Sequence, residues 1–395
     1  MQDPGEDSNT GSPLVGRFRL PLAHDTVREI IRKVSPIAVT ATLILLALFS
    51  LFVGPVRISW SSAWYIFIAQ FNQILNSALT GIHHVISQVP AGVSLFSNTG
   101  SRYYTMPEYD IIVQIQEPIV LAAVIVGAAL AVGGSTVQGI FRNPITEPYI
   151  IGISSGAALG ATLTIAVPQF SSDFGAFSLQ VNAFFFSLLV VYITYFTSYR
   201  RGSVPVTYLL LTGVAISIFV SSIVAFIIYT NTRLQSEVFF WLMGSLQQAG
   251  WADIYLVGGI VGVCVILTYM FSGELDALQM GEDYASSLGV RVEFTKMALL
   301  TLVALSVSAC VSIAGLIGFV GLIIPHISRM LFGGTSRKSI PWSVALGAIF
   351  LLLANDIAVG LYAERVVPVG IITGMIGVPF FLFIMYRLSG GAYHA

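Results

Sequence analysis

The chain has 395 residues and a net charge of −1; 9% of its side chains are charged and 56% are hydrophobic. Soluble globular chains carry about 25% charged residues, so this composition excludes a water-soluble fold, and the balanced charge gives no footing for a nucleic-acid partner. Lipid solvates such an apolar surplus, and the expected class is an all-α, polytopic transmembrane helical bundle.

In chain order, residues 1–34 read as a disordered cytoplasmic tail. They are rich in Gly, Ser, Pro, Asn and Asp at their start and lack the apolar core of a signal peptide. Arg28, Arg32 and Lys33 hold that end on the cytoplasmic side. Residues 35–395 read as one transmembrane domain. A span needs about 20 residues, and the apolar runs predict ten, at roughly 36–53, 113–135, 150–168, 181–198, 204–229, 252–271, 296–313, 315–332, 341–361 and 368–387. With alternating spans and the N-terminus inside, only Arg57, Arg102, Arg233 and Arg365 of the 18 basic residues fall outside. That bias supports a multi-pass protein of the cytoplasmic membrane with both termini cytoplasmic. Cys264 and Cys310 lie in apolar runs and read as core residues, without a disulfide framework.

Two connections are long. The external insertion, about 55–112, carries Trp60, Trp64, Phe67, Phe71, Ile74, Leu75, Ala78 and Leu79 at helical spacing. This is an amphipathic helix that rests on membrane lipid, packs onto a partner, or caps the bundle. The cytoplasmic segment, about 272–295, is too polar to span. Within it Gly281 and Gly289 bracket a short helix, with Leu278, Ala285 and Leu288 expected on one side. Such a helix is either a docking surface or an ordinary interfacial helix. Among the 37 glycines, those between Gly127 and Gly160 read mainly as small residues that let helices approach closely.

One stretch is especially informative: GGSTVQGIFRNPITEPYIIGISSGAALGA, residues 133–161. A span ends there in a polar turn, Gln138 to Pro144, stiffened by Pro144 and Pro148, with Arg142 at the cytoplasmic interface. The stretch resembles the signature of the FecCD-type permeases, the membrane subunits of type II ATP-binding-cassette importers. Further blocks are similar to that family in the same order: Trp241–Leu246 with Trp251, Leu278–Val290, Gly315–Arg329, and Pro368–Gly374 with Gly377 and Pro379. The resemblance covers about 113–387. The turn after the second span and the Phe319–Pro325 block after the seventh also hint at an inverted duplication.

The resemblance implies a membrane permease for a metal chelate such as an iron–siderophore, haem or cobalamin. It implies a homodimer, two ATP-binding-cassette ATPase subunits and an extracytoplasmic substrate-binding protein. Gly281, Glu282, Ala285, Leu288 and Gly289 would couple to the ATPase. Gln138, Arg142, Asn143 and Pro144 form the motif turn, and Pro205, Val206 and Thr207 resemble the inner gate. The chain has no Gly-x-x-x-x-Gly-Lys phosphate loop of its own, so ATP hydrolysis is expected on a separate subunit and no catalytic residue is assigned.

The chain also departs from the family. Gln116-Glu117-Pro118-Ile119 stands where an Arg-x-Pro-Arg is usual, and Val359 replaces a further outer arginine. Those arginines dock the binding protein, so Glu117, Glu364 and Arg365 are the candidate docking residues here. Lone polar residues are weighed separately. His326 reads as a packed position or a substrate ligand, and Asp356 as functional or structural. His83 and His84 are adjacent and diverge on a helix, so no metal site or cofactor is predicted. An ion-coupled secondary transporter is the alternative, with Asp356 and His326 as its only candidate ion sites. A membrane enzyme would need a paired-carboxylate or His/Cys constellation that the sequence lacks.

Overall fold

The structure is a computed structural model that describes residues 36–54, 59, 61–62, 64–70, 105–172, 175–200, 202–361 and 366–390. The tail 1–34, most of the external insertion, the His83-His84 pair, and Glu364 and Arg365 lie outside the described residues. Among the described residues six helices are long and apolar enough to cross a membrane, and with four shorter apolar ones a helix lies in each of the ten predicted spans. These are α1 (Pro36–Ser50), α2 (Glu117–Phe141), α3 (Ile153–Ala166), α4 (Ser178–Ser198) and α5 (Val206–Thr230), then α7 (Trp251–Met270), α10 (Val292–Ala314), α11 (Val320–Phe332), α12 (Ser336–Gly360) and α13 (Val369–Gly390). Between them lie the short α6 (Gln235–Leu242), α8 (Ser272–Met280) and α9 (Glu282–Ser287). The apolar composition of the long helices explains their form: in lipid each backbone N–H and C=O must be satisfied within the segment.

Helix α2 is the axis of the bundle. It packs against α7, α10, α11 and α12, while α3, α4 and α5 form a second group joined to the first through α10. Small residues make the closest approaches. A Cβ at Gly134 would fall on the backbone of Gly321 in α11, and one at Gly127 would fall on the Gly347 carbonyl of α12. Hydroxyls add interhelical ties, such as Ser187 on α4, whose Oγ donates to the Ile153 carbonyl (3.0 Å) and shares a hydrogen with Ser308 of α10 (2.6 Å).

Three sequence expectations are corrected. The second span does not end in a turn at Gln138. Its helix continues to Phe141, where Arg142 (φ 50°) turns the chain. The polar residues there find partners inside the protein, so their polarity does not stop the helix: Thr136 Oγ1 donates to the Val132 carbonyl at 2.8 Å.

The third and eighth spans are half-helices. With 14 and 13 residues, α3 and α11 reach only about 20 Å at 1.5 Å per residue, short of a core about 30 Å thick. The connection after Arg142 climbs back into the bundle, since Pro148 lies beside Gly133 and Gly321. Residues 315–319 are unwound before α11 begins. Finally, Leu288 does not share a side with Leu278 and Ala285. Those two are buried, whereas Leu288 is exposed, because it follows the last turn of α9.

Candidate functional site

The end of the bundle that carries Arg142 gathers most of the predicted residues. Helix α8 is anchored by Leu275 and Leu278, both buried. It is also tied to the start of α12, where the Ser336 amide donates to Asp276 Oδ1 (2.7 Å) and Gln279 Nε2 donates to Ser336 Oγ (3.0 Å). The chain then breaks at Gly281, whose φ of 130° and ψ of 151° suit glycine alone. Helix α9 follows and closes at Gly289 (φ 84°). There the Val290 amide reaches the Ala285 carbonyl (3.0 Å) and the Gly289 amide the Ser286 carbonyl (2.9 Å), the bonding pattern of a Schellman motif.

This geometry sorts the predicted coupling residues. Ala285 is fully buried and acts as the packing foot of α9. Gly281 and Gly289 set its entry and exit. Leu288, with Tyr284 and Met280, projects outward as an exposed apolar patch. Arg142 stands beside Gly281, with its guanidinium 3.7 Å from where a Cβ would be. Asn143 Oδ1 accepts from the Ile145 amide (3.1 Å) and shapes the turn through Pro144. Two blocks far apart in sequence therefore share one surface.

Glu282 points elsewhere. Its Oε1 accepts from Lys296 Nζ at 3.2 Å. Lys296 also pairs with Glu293 (2.6 Å) and donates to the Val204 carbonyl (3.0 Å). The Val204 amide donates to Glu293 Oε2 (3.0 Å). Val204 directly precedes Pro205, which opens α5 with Val206 half-buried and Thr207 exposed. The predicted coupling and gate residues are thus joined through Lys296 and Glu293, which the sequence reading did not single out. The available signal was an ammonium three residues after a carboxylate at the mouth of an apolar run.

A second polar assembly lies deeper, where the motif turn meets the 315–325 block. Pro325 has no N–H, so the Gly321 carbonyl, four residues earlier, lacks its helical donor. Gln138 Nε2 supplies one (3.1 Å) and also reaches the Leu322 carbonyl (3.3 Å), while Arg329 donates to Gln138 Oε1. Glu147 accepts the Phe319 amide (2.5 Å). Tyr149 Oη donates to the Ile317 carbonyl (3.0 Å) and accepts the Ile317 amide (3.3 Å). Glu147 and Tyr149 were also unremarked in sequence. Together these bonds hold the unwound stretch that starts a half-helix.

The other end of the bundle carries a cavity of about 350 Å³ with a mixed lining that includes Gln180, Glu237, Trp241, Gln248 and Ser312. Glu117, at the start of α2, is half-buried against the helical stretch 64–70 and hydrogen-bonded to Gln70. Trp251 Nε1 donates to the Val113 carbonyl (2.8 Å). Asp356 Oδ2 accepts from Ser50 (2.7 Å), tying α1 to α12, and His326 is half-buried in α11. Among the described residues, no group of three or more His, Cys, Asp or Glu is placed to hold a metal ion. Cys264 and Cys310 are buried free thiols.

The sequence profile of the FecCD transport family matches residues 42–387. The chain is 39% identical over 281 residues to the hemin transport system permease protein HmuU of Yersinia pestis, covering 71% of this chain and 84% of that protein. It is 38% identical over 273 residues to the cobalamin import system permease protein BtuC of Halobacterium salinarum, covering 69% and 72%. A molybdate import system permease protein, MolB of Haemophilus influenzae, is 33% identical over 287 residues, covering 72% and 83%. Among solved structures, an inward-facing transporter assigned to the metal-chelate type of ABC transporter superposes with a TM-score of 0.66 at 31% identity, covering 80% of this chain and 98% of that one.

Proposed function

This chain belongs to the FecCD transport family, and from that premise we propose that it is the membrane-spanning permease subunit of an ATP-driven importer for a metal chelate. The cargo is of the iron–siderophore, haem or cobalamin class, and the route crosses the cytoplasmic membrane. The observation that carries this reading is α9: a short helix held between two positive-φ glycines, with Leu288, Tyr284 and Met280 exposed beside it. A rigid apolar knob of this kind suits a cleft on another protein. On the family reading that protein is the ATPase subunit.

The working assembly is a homodimer in membrane lipid, with two ATPase subunits and an extracytoplasmic binding protein. Both termini lie in the cytoplasm, on the side of α9. Substrate passes between two copies, past the cavity near Gln180 and Glu237 and the gate at Pro205, Val206 and Thr207. ATP binding and hydrolysis drive alternating access. Glu117, Glu364 and Arg365 replace the family's outer arginines as contacts to the binding protein.

The test is affinity purification from the native membrane, with mass spectrometry of what accompanies the chain and an absorption spectrum of the eluate. A stoichiometric ATPase and a binding protein support the importer, and a haem or corrin band identifies the cargo. A chain recovered alone at every detergent strength overturns it in favour of ion-coupled transport.

A further inference from the structure

Lysine is among the residues least often buried, yet Lys296 is 2% exposed. A buried ammonium persists only when it is paired and its protons are all used. Lys296 meets that condition in full. Its three N–H groups face three acceptors: Glu282 Oε1, Glu293 Oε1 and the Val204 carbonyl. These lie on three separate pieces of chain, namely α9, the first turn of α10, and the connection that leads into α5. Glu293 closes the set by accepting the Val204 amide, so both backbone groups of Val204 are held. Val204 is itself buried and next to Pro205, whose fixed φ passes its position directly to the first turn of α5. The nearby cations do not compete, since Arg200 lies over Tyr208 and Arg291 over Phe294.

We propose that Lys296 is the clasp that transmits displacement of α9 to the entrance of α5, making it a positioning residue for the gate. The inference rests on the importer reading, because an ATPase must move α9. The ammonium is the shared node: Glu282 cannot shift against α10 without stretching a bond at the atom that also holds Val204. The ammonium is buried although the Glu282 and Glu293 carboxylates are 38% and 33% exposed, so a shift of Glu282 is felt at a cation whose other partners are the protein's own groups, and the connection follows the helix. A staple that merely stabilised the fold would need no link to the residue before the gate.

The test uses the chain copurified with its ATPase in lipid nanodiscs. Cys264 and Cys310 are replaced by alanine, and Thr207→Cys reports the α5 entrance through its rate of labelling by a maleimide. Rates are compared without nucleotide and with ATP plus vanadate. With Lys296 present, the two rates differ. In Lys296→Met the ATPase stays bound and hydrolyses ATP, but the difference is lost; Lys296→Arg restores it. Glu293→Leu guards against misfolding: it leaves the Lys296–Glu282 pair and the Lys296–Val204 bond in place and frees only the Val204 amide, so it narrows the difference without abolishing it. An undiminished nucleotide-dependent difference in Lys296→Met and Glu293→Leu overturns the clasp, as does the absence of any difference in the parent. A parent chain that retains no ATPase overturns the importer reading itself, and the clasp with it, and is recognised by that loss before labelling begins.

Discussion

Gln138→Leu probes how the two motif blocks hold each other. The leucine keeps the volume and removes both functions of the amide. The Gly321 carbonyl then has no donor, because Pro325 cannot supply one. A buried acceptor left unsatisfied costs about 1–3 kcal/mol. Arg329 also loses its acceptor on Gln138, and a hydrogen bond to a charged group contributes about 1.5–3 kcal/mol. The Leu322 carbonyl keeps its helical donor, so its 3.3 Å contact adds little. Since Arg329 is only partly buried, the lower figure applies to it, and the expected destabilisation is about 3 kcal/mol.

A double-mutant cycle with Pro325→Ala isolates the mechanism. Alanine brings back the N–H, and the Gly321 carbonyl recovers its helical bond. In that background Gln138→Leu should cost roughly 1–2 kcal/mol less than in the parent. The assay is reversible denaturant titration of the four proteins in mixed micelles, followed by tryptophan fluorescence. Additivity within about 0.5 kcal/mol would show that Gln138 does not replace the missing proline donor, and the reasoning fails.

Four further outcomes follow from the geometry. Gly134→Val places atoms on the Gly321 backbone, so α2 and α11 cannot close, and the folded peak in size-exclusion chromatography should vanish. Leu288→Asp removes an exposed apolar contact whose burial is worth about 1.5–3 kcal/mol, so ATPase capture should weaken about tenfold or more at an unchanged unfolding temperature. Phe332 and Trp342 stack at 3.7 Å with planes 6° apart; a double-mutant cycle to alanine should return a coupling of about 0.5–1.5 kcal/mol. Charge reversal of Glu117 and of Glu364 should weaken capture of the binding protein, and unchanged affinity in both would remove that docking role.

The spans were legible because lipid imposes one rule on every residue of a segment, so composition over about 20 positions suffices. The short helix at 282–287 was legible because its two flanking glycines occupy positive-φ regions that strongly favour glycine. What stayed hidden depends on partners distant in sequence. Gln138 looked like a turn because its polarity was visible, while its acceptors lie 183 and 184 residues away. The half-helix α11 looked like a span because its unwound start, Gly315 to Phe319, is apolar and is held by Glu147 and Tyr149 from another connection. Lys296 read as one more inside-positive charge, since nothing local announces burial beside Glu282 and Val204.

The two polar assemblies differ in what they bind together, and packing explains why. Gln138, Glu147, Tyr149 and Arg329 knit α2, the turn before α3 and the start of α11, all inside the best-packed part of the bundle; the span ending at Phe141 is 83% buried over its apolar window. The Lys296 clasp instead grips the approach to α5, which is 17% buried within its own chain and so leaves most of its surface to lipid or to a second copy. A strained backbone inside the core needs rigid partners to persist, whereas a helix that its own chain covers on few sides moves in step with another element only through a tie such as this one. On the proposed importer reading, α5 is then the element expected to shift against α2, and the bond from Lys296 to Glu282 is the point where α9 would impose it.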